Sequence, residues 1–513
     1  MLSWLKGDKV DHPLADAKQA KKVIDAFPAN DPWQTLEDAN YWLESINETA
    51  AFKLEQRFEL IDQLDVATRK AQETLLNTYN VLSEQDKVQE RRIWKTVTDF
   101  WRVIAAGYLA CVVQAQEGKG VPSAMKQQLP VIAARGLRAL RHQMKWVLMR
   151  YAMVRPEIWS EIGRCVAFAE AGEFSDKPVD MYPAAGSSSI GYEFLRVMML
   201  WASSPSGLSP AEQDVAERII VYLTVKFRFG LKQWDDCDYC FDLDGQRPPL
   251  RLAPAMPVSP ETRFFDAKEA RQAAKAMLSQ VAATGILPAG VELGAGVEAV
   301  RVAKVLKHML FNWAKEMPLR ASPRRKTAIM LHVVHGFQSV QGAVAPELSE
   351  GLDFSDALAY DTWVAEDVSA GGYGIIVPAG KGEWLKVGLL VGVRSETESL
   401  WSVGIVRRVK SDEHRQYRIG IQLLSRSAML VYLRNLVAME RSGKRQTAIL
   451  LSSQPSPNGS LHVIARKELL DGHDALEAMF GNPPSTIMLE PQGVVETGDD
   501  FDWLRYRLST PIA

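Results

Sequence analysis

Apolar side chains recur at spacings of three and four through the first 317 residues, as in Leu60, Ile61 and Leu64 and again in Ile104, Tyr108 and Val112. That rhythm gathers them on one face of a helix. It predicts long helices near 52–82, 88–116 and 123–154, and shorter ones over 192–203, 209–229, 267–283 and 297–316. Proline marks several boundaries. A short helix within 12–28 stops before Pro28, Asp31-Pro32 opens the next, Pro130 starts or kinks the third long one, and Pro156 opens a helix ending near Gly172. Ser209, Pro210 and Glu212 read as cap, first turn and third position of another. Trp146, Met149, Met153, Met198 and Trp201 fall at helical spacing and read as core. The region 1–317 is therefore expected to be almost wholly helical. A loop over 174–191 and a stiff, five-proline connector over 242–260 interrupt it.

Beyond residue 317 the pattern changes to short apolar runs over 384–392, 401–408 and 417–425, which predict strands. Further strands are expected at 447–451, 461–465, 486–490 and 501–508, with Asn458-Gly459 turning the first of these into the second. A helix is expected over 467–480. The tail could pack on the strands before it or form a second small barrel. No repeat of fixed period is present.

At 513 residues the chain should hold about three or four domains. A hydrophobic content of 47% and a charged content of 24% are those of an ordinary soluble protein. The net charge of −2 argues against a nucleic-acid binder, although 320–326 is locally basic. No apolar run suggests a membrane span, and the first residues lack the order of a signal peptide, so a cytoplasmic location is expected. Four cysteines are too few for a disulfide scaffold. Cys237 and Cys240 have Cys-x-x-Cys spacing but no partner pair, and acidic neighbours would raise their thiol pKa.

No catalytic constellation is legible, and neither enzyme activity nor a metal or cofactor is expected. The serines of 187–189 lack the nucleophile elbow. Gly371, Gly372 and Gly374 are followed by no Walker lysine. His332 and His335 should point to opposite faces of a strand. His142 accompanies Arg135, Arg138 and Arg141 in a basic run, read as a solvated helix face that could meet an acidic partner. A helical enzyme fused to a sensor would require a polar cluster buried among the helices.

One pair of motifs carries chemistry. Arg320 and Arg324 stand four apart, with Arg325 adjoining, and Asp367, Ser369 and Gly372 follow. Arginine matches phosphate bidentately and stacks on flat rings. A carboxylate can accept from the N–H edge of guanine, and glycine admits a close ligand. Arg-x-x-x-Arg followed by Asp-x-Ser-x-x-Gly, then three strand patterns ending in Gly420-Ile421-Gln422, resembles the PilZ family over about 318–435. That resemblance implies a small β-barrel binding the bacterial second messenger cyclic di-GMP. It implies that Arg320 and Arg324 grip phosphate and stack on guanine, that Asp367 accepts from a guanine edge, that Ser369 donates to the ligand, and that Gly372 makes room for the base. Arg325 would add a phosphate contact. Trp363 and Tyr373 would pack the barrel. The segment between the motifs is longer than usual for the family, so a loop is expected over 338–360.

The expected fold is multidomain α plus β: helices over 1–241, the connector and further helices over 242–317, a PilZ-like barrel over 318–435, and a small β-rich or α+β domain over 436–513. The expected function is that of a cyclic di-GMP receptor. Arg320 sits where the last helix meets the first strand, so ligand binding would reorient a helical output region or one that meets a protein partner. The alternative is a non-binding scaffold acting in protein contacts for pilus or flagellar function.

Overall fold

The computed structural model describes residues 10–82, 86–118, 121–183, 186–294, 296–316, 322–344, 359–378, 380, 382, 384–414, 416–435, 446–452, 454–456, 459–467, 469–470, 475–480 and 485–509. The chain divides into two compact units, 1–205 with 210–318, and 206–209 with 319–513.

The first unit is built on α1 (Ala17–Asp25), α2 (Pro32–Glu48), α3 (Leu54–Val81), α4 (Lys87–Glu117), α5 (Ser123–Lys126), α6 (Leu129–Met149), α7 (Pro156–Ala171), α8 (Ile190–Ala202), α9 (Pro210–Leu223), α10 (Lys268–Thr284) and α11 (Ala299–Asn312). Side chains cap several starts: Asp16 accepts from the Gln19 amide at 2.9 Å, Asp31 from Gln34 at 3.0 Å and Ser189 from Tyr192 at 3.2 Å. Prolines open α2, α6, α7 and α9, as their fixed φ favours. Trp146, Met149 and Met198 lie in the core, whereas Met153, beyond the end of α6, is 48% exposed. Helix α4 has a mean hydropathy of 1.3 over an 18-residue window and is long and apolar enough to cross a membrane. Its Val97, Ile104, Tyr108 and Val112 are buried, and it packs on α2, α3 and α6.

Two expectations fail here. Helix α9 gives way to a four-stranded sheet ordered β1-β4-β2-β3, made of β1 (Arg228–Gly230), β2 (Tyr239–Asp242), β3 (Leu250–Arg251) and β4 (Thr262–Asp266). The segment 228–266 is therefore not helix followed by connector. All five residues of β4 are buried, so no polar alternation betrays it. Tyr239 stacks on Phe265 at 5.2 Å between ring centres. Cys237 and Cys240 pack with Phe264, Trp234 and Met256, and burial, with Asp266 and Asp238 adding to it, pushes the Cys237 thiol up to about 11.

The second failure is the basic run on α6, which is not solvated. Lys145 is 1% exposed and donates to Asp214 and Glu217. Arg135 pairs with Asp62 and donates to the Met181 carbonyl at 2.8 Å, pinning the 174–191 loop. Arg141 lies 3.4 Å from Glu217 and 3.8 Å from Glu193. Tyr108 and Tyr182 each donate to Asp65 at 2.7 Å. Burial pushes His142 well below its ordinary range, assisted by Arg138, Arg141 and Lys145 against the pull of Glu217. Burial alone would raise the Glu217 carboxyl, but Lys145, His142 and Arg141 outweigh it and hold it well below. A polar cluster is thus buried among the helices, and its charges pair with one another across α3, α6, α8 and α9.

The second unit holds two closed six-stranded barrels. The first, ordered β10-β7-β6-β5-β8-β9, comprises β5 (Arg325–His335), β6 (Asp361–Ser369), β7 (Gly372–Val377), β8 (Leu390–Ser395), β9 (Ser402–Ser411) and β10 (Tyr417–Ser425). Between β5 and β6 the expected loop opens instead with α12 (Phe337–Val344); residues 345–358 lie outside those described. Trp363 and Tyr373 are buried in the barrel, and His332 and His335 stack on Tyr360 and Trp384.

The second barrel, ordered β11-β12-β13-β16-β15-β14, comprises β11 (Met429–Asn435), β12 (Gln446–Leu450), β13 (Ser460–Arg466), β14 (Leu476–Phe480), β15 (Ser485–Thr497) and β16 (Phe501–Ser509). The helix expected over 467–480 is replaced at its end by β14, whose Leu476 and Ala478 alternate into the core. The barrels share an apolar cluster: Leu390, Trp401, Val403 and Ile405 of the first meet Ile449, Leu451, Ile464 and Phe501 of the second. Asp500 accepts from the Phe337 amide at 2.6 Å. These contacts fix the tail against the site-bearing barrel.

Candidate functional site: a basic cavity on the first barrel

Strand pairing brings the motifs together. β5 runs antiparallel to β6 so that Lys326 faces Asp367, which places Arg324 beside that carboxylate. Arg324 Nη1 donates to Asp367 Oδ2 at 3.1 Å and lies 3.0 Å from Oδ1. Oδ1 is buried and accepts no hydrogen bond among the described residues. Ser369 Oγ lies 3.4 Å from the Gly372 carbonyl, at the far limit of a hydrogen bond, across the β6–β7 turn.

Two glycines there are dictated by backbone and carboxylate. A Cβ on Gly372 would fall 1.9 Å from the Ile421 carbonyl oxygen, so only glycine lets β7 meet β10 at this point. A Cβ on Gly374 would fall 2.7 Å from both oxygens of Asp367. The bare backbone of β7 thus makes room for the acid and forms the floor of a cavity of about 370 Å³. That volume is within the ordinary range for a small-ligand site.

Five cationic side chains and one carboxylate line the cavity: Arg324, Arg407, Arg408, Lys410 and Arg418, with Glu366. Apart from Arg324, these residues carry no motif signal. They converge because β9 and β10 pair beside β7 and because bulges re-aim them. In β6, Ala365 faces Ile375 and Asp367 faces Gly374, leaving Glu366 as the extra residue. In β9, Val406 faces Ile421 and Arg408 faces Gly420, leaving Arg407 as the extra residue. Arg418 donates to Glu366 at 2.8 Å and Arg407 to Gln422 at 2.7 Å. Of the residues singled out by sequence, Arg324, Ser369 and Gly372 line the cavity, and Asp367 adjoins it through Arg324 and Gly374. Arg325 faces Val368 at the strand end and does not line it. Arg320 lies outside the described residues.

Chemically, the cavity offers guanidinium groups for phosphate and a buried acceptor for an N–H donor. Residues 353–429 match the middle PilZ domain of the cyclic-di-GMP receptor FimW. The first barrel is a PilZ domain. Residues 18–232 match the N-terminal domain of the same receptor, so the helical region is a separate domain defined by that family. The PilZ match includes Asp367, Ser369, Gly372, Arg407 and Arg418 and begins after Arg320, Arg324 and Arg325. The family is one of cyclic di-GMP receptors. No curated protein matches the chain.

Proposed function

We propose that this chain is a bacterial, cytoplasmic cyclic di-GMP receptor that binds the dinucleotide in the PilZ cavity and couples that event to its helical unit. The observation that carries the reading is the Asp367 carboxylate. Its Oδ1 is buried and accepts no hydrogen bond among the described residues, faces only the rim ion pair with Arg324 at 3.0 Å, and adjoins a cavity walled by guanidinium groups. A purine that donates at its edge and carries phosphate satisfies both features, and guanine is such a base. Arg324 holds Asp367 at a part-exposed ion pair and can turn to a phosphate at small expense.

Coupling follows from chain order. The last described helix before the first barrel, α11, ends at Asn312, and Arg324 stands one residue before β5. A ligand held by both Arg320 and Arg324 would tie the segment joining the units to the cavity. Reorientation of the helical unit, as an output or to meet a protein partner, is then limited by the ligand's differential affinity for the two arrangements. Amide hydrogen exchange on the full chain with and without cyclic di-GMP tests this. Slower exchange is expected at 366–374, 405–422 and 313–326. Protection of the first two segments with none at 313–326 would leave binding standing and remove the coupling.

A further inference from the structure

The second barrel reaches the wall of the PilZ cavity through Glu496. Arg407 Nη1 donates to Glu496 Oε1 at 2.7 Å while its Nε donates to Gln422 Oε1 at 2.7 Å. These bonds engage two of the five N–H groups and fix the plane of the guanidinium in the cavity wall. Both partners sit at irregularities in their strands. Arg407 is the extra residue of the β9 bulge. In β15, Val494 faces Leu504 and Glu496 faces Trp503, so Val495 is extra and the bulge turns Glu496. The Glu496 side chain is 11% exposed, so its carboxylate is held in a largely enclosed place. Val403 and Ile405, just before Arg407, belong to the apolar cluster shared by the barrels. The spacing between β9 and Glu496 is thereby set by packing.

We propose that Arg407 is a ligand-gripping arginine of the PilZ cavity and that Glu496, from outside the PilZ domain, is its positioning residue, so that the second barrel completes the site. The proposal rests on the reading of the cavity as a cyclic di-GMP site. A guanidinium already fixed in orientation loses less freedom when it meets phosphate, which raises affinity without a new contact. The charge of Glu496 acts in the opposite direction, since it partly neutralises the wall. The two effects separate by substitution: Glu496→Gln keeps an acceptor for Nη1 and removes the charge, whereas Glu496→Ala removes both.

The test is calorimetric titration of the full chain with cyclic di-GMP, with thermal melting of each variant as a check on folding. Arg407→Ala should weaken binding about tenfold or more, as expected for loss of a charge-assisted contact. Arg407→Lys, which cannot make both fixing bonds, should weaken it nearly as much. Glu496→Ala should weaken it several-fold, and Glu496→Gln should restore affinity to within about twofold of the parent, since the acceptor is kept. The double variant Arg407→Ala/Glu496→Ala should bind like Arg407→Ala alone, because one residue acts through the other. Tighter binding by Glu496→Ala would show that the carboxylate competes with the ligand and would overturn the proposal, as would unchanged binding by Arg407→Ala. An additive double variant would overturn the positioning role. Absence of binding by the unsubstituted chain would instead bring down the parent reading, and that outcome is distinct from all the others.

Discussion

Replacing Arg324 by alanine should separate ligand affinity from fold stability. The Arg324–Asp367 pair has side chains 38% and 14% exposed, so in the free protein it contributes about 0–1 kcal/mol. Arg324→Ala should therefore change unfolding free energy by no more than about 1 kcal/mol. Binding is another matter. A hydrogen bond to a charged group contributes about 1.5–3 kcal/mol, which corresponds to roughly a tenfold to hundredfold loss of affinity. The lower end applies if breaking the pair with Asp367 offsets part of the gain. Arg324→Lys keeps the charge without the fork and should fall between the parent and alanine. Calorimetric titration with cyclic di-GMP measures the affinity, and urea unfolding of the same samples measures stability. An unchanged dissociation constant for Arg324→Ala would refute the assignment. So would a loss of affinity matched by an equal loss of stability, because Arg324 would then be supporting the barrel and not the ligand.

Three further outcomes follow from the structure. Gly372→Ala places a Cβ 1.9 Å from the Ile421 carbonyl, so β7 and β10 must part at the cavity floor; a stability loss of about 1–3 kcal/mol and weakened ligand binding are expected, read by denaturation and titration. Lys145→Met removes the cation that bridges Asp214 and Glu217 in the helical core, leaving them to Arg218 and Arg141, and should cost about 3 kcal/mol near neutral pH, read by urea unfolding followed through tryptophan fluorescence. His142 is held neutral by burial, so the unfolded chain binds a proton there that the folded chain does not; stability should fall as pH drops below about 6.5, by at most about 1.4 kcal/mol per pH unit, and His142→Gln should flatten that slope. Glu217, also depressed, adds a loss of the same sign only below about pH 4.3.

The helices were legible in the sequence because the 3.6-residue rhythm survives wherever one face is buried, as at Leu60, Ile61 and Leu64. The candidate cavity was legible where a motif lies close together in the chain: Ser369 and Gly372 line it and Asp367 adjoins it. Arg407, Arg408, Lys410 and Arg418 were not, because they reach the cavity only through the pairing of β9 with β10 and a bulge that no local pattern announces. The sheet β1–β4 was missed because its central strand β4, buried at every residue, shows no alternation, because β1 and β3 are only three and two residues long, and because the proline content of 242–260 reads as a connector. The basic run of α6 was misread because the acids that neutralise it, Asp62, Glu193, Asp214 and Glu217, stand on three other helices, far away in sequence. Charge burial depends on partners, and partners are a property of the fold.

The central claim is that a dinucleotide carrying guanine and phosphate fills the basic cavity against Asp367. Isothermal titration of the folded full chain with cyclic di-GMP, with GMP as the comparison, tests it most directly. Saturable binding with a defined stoichiometry, weakened by substitution of either Arg324 or Asp367, is the predicted result. A folded chain that takes up no cyclic di-GMP would contradict it and leave the barrel as a scaffold for protein contacts.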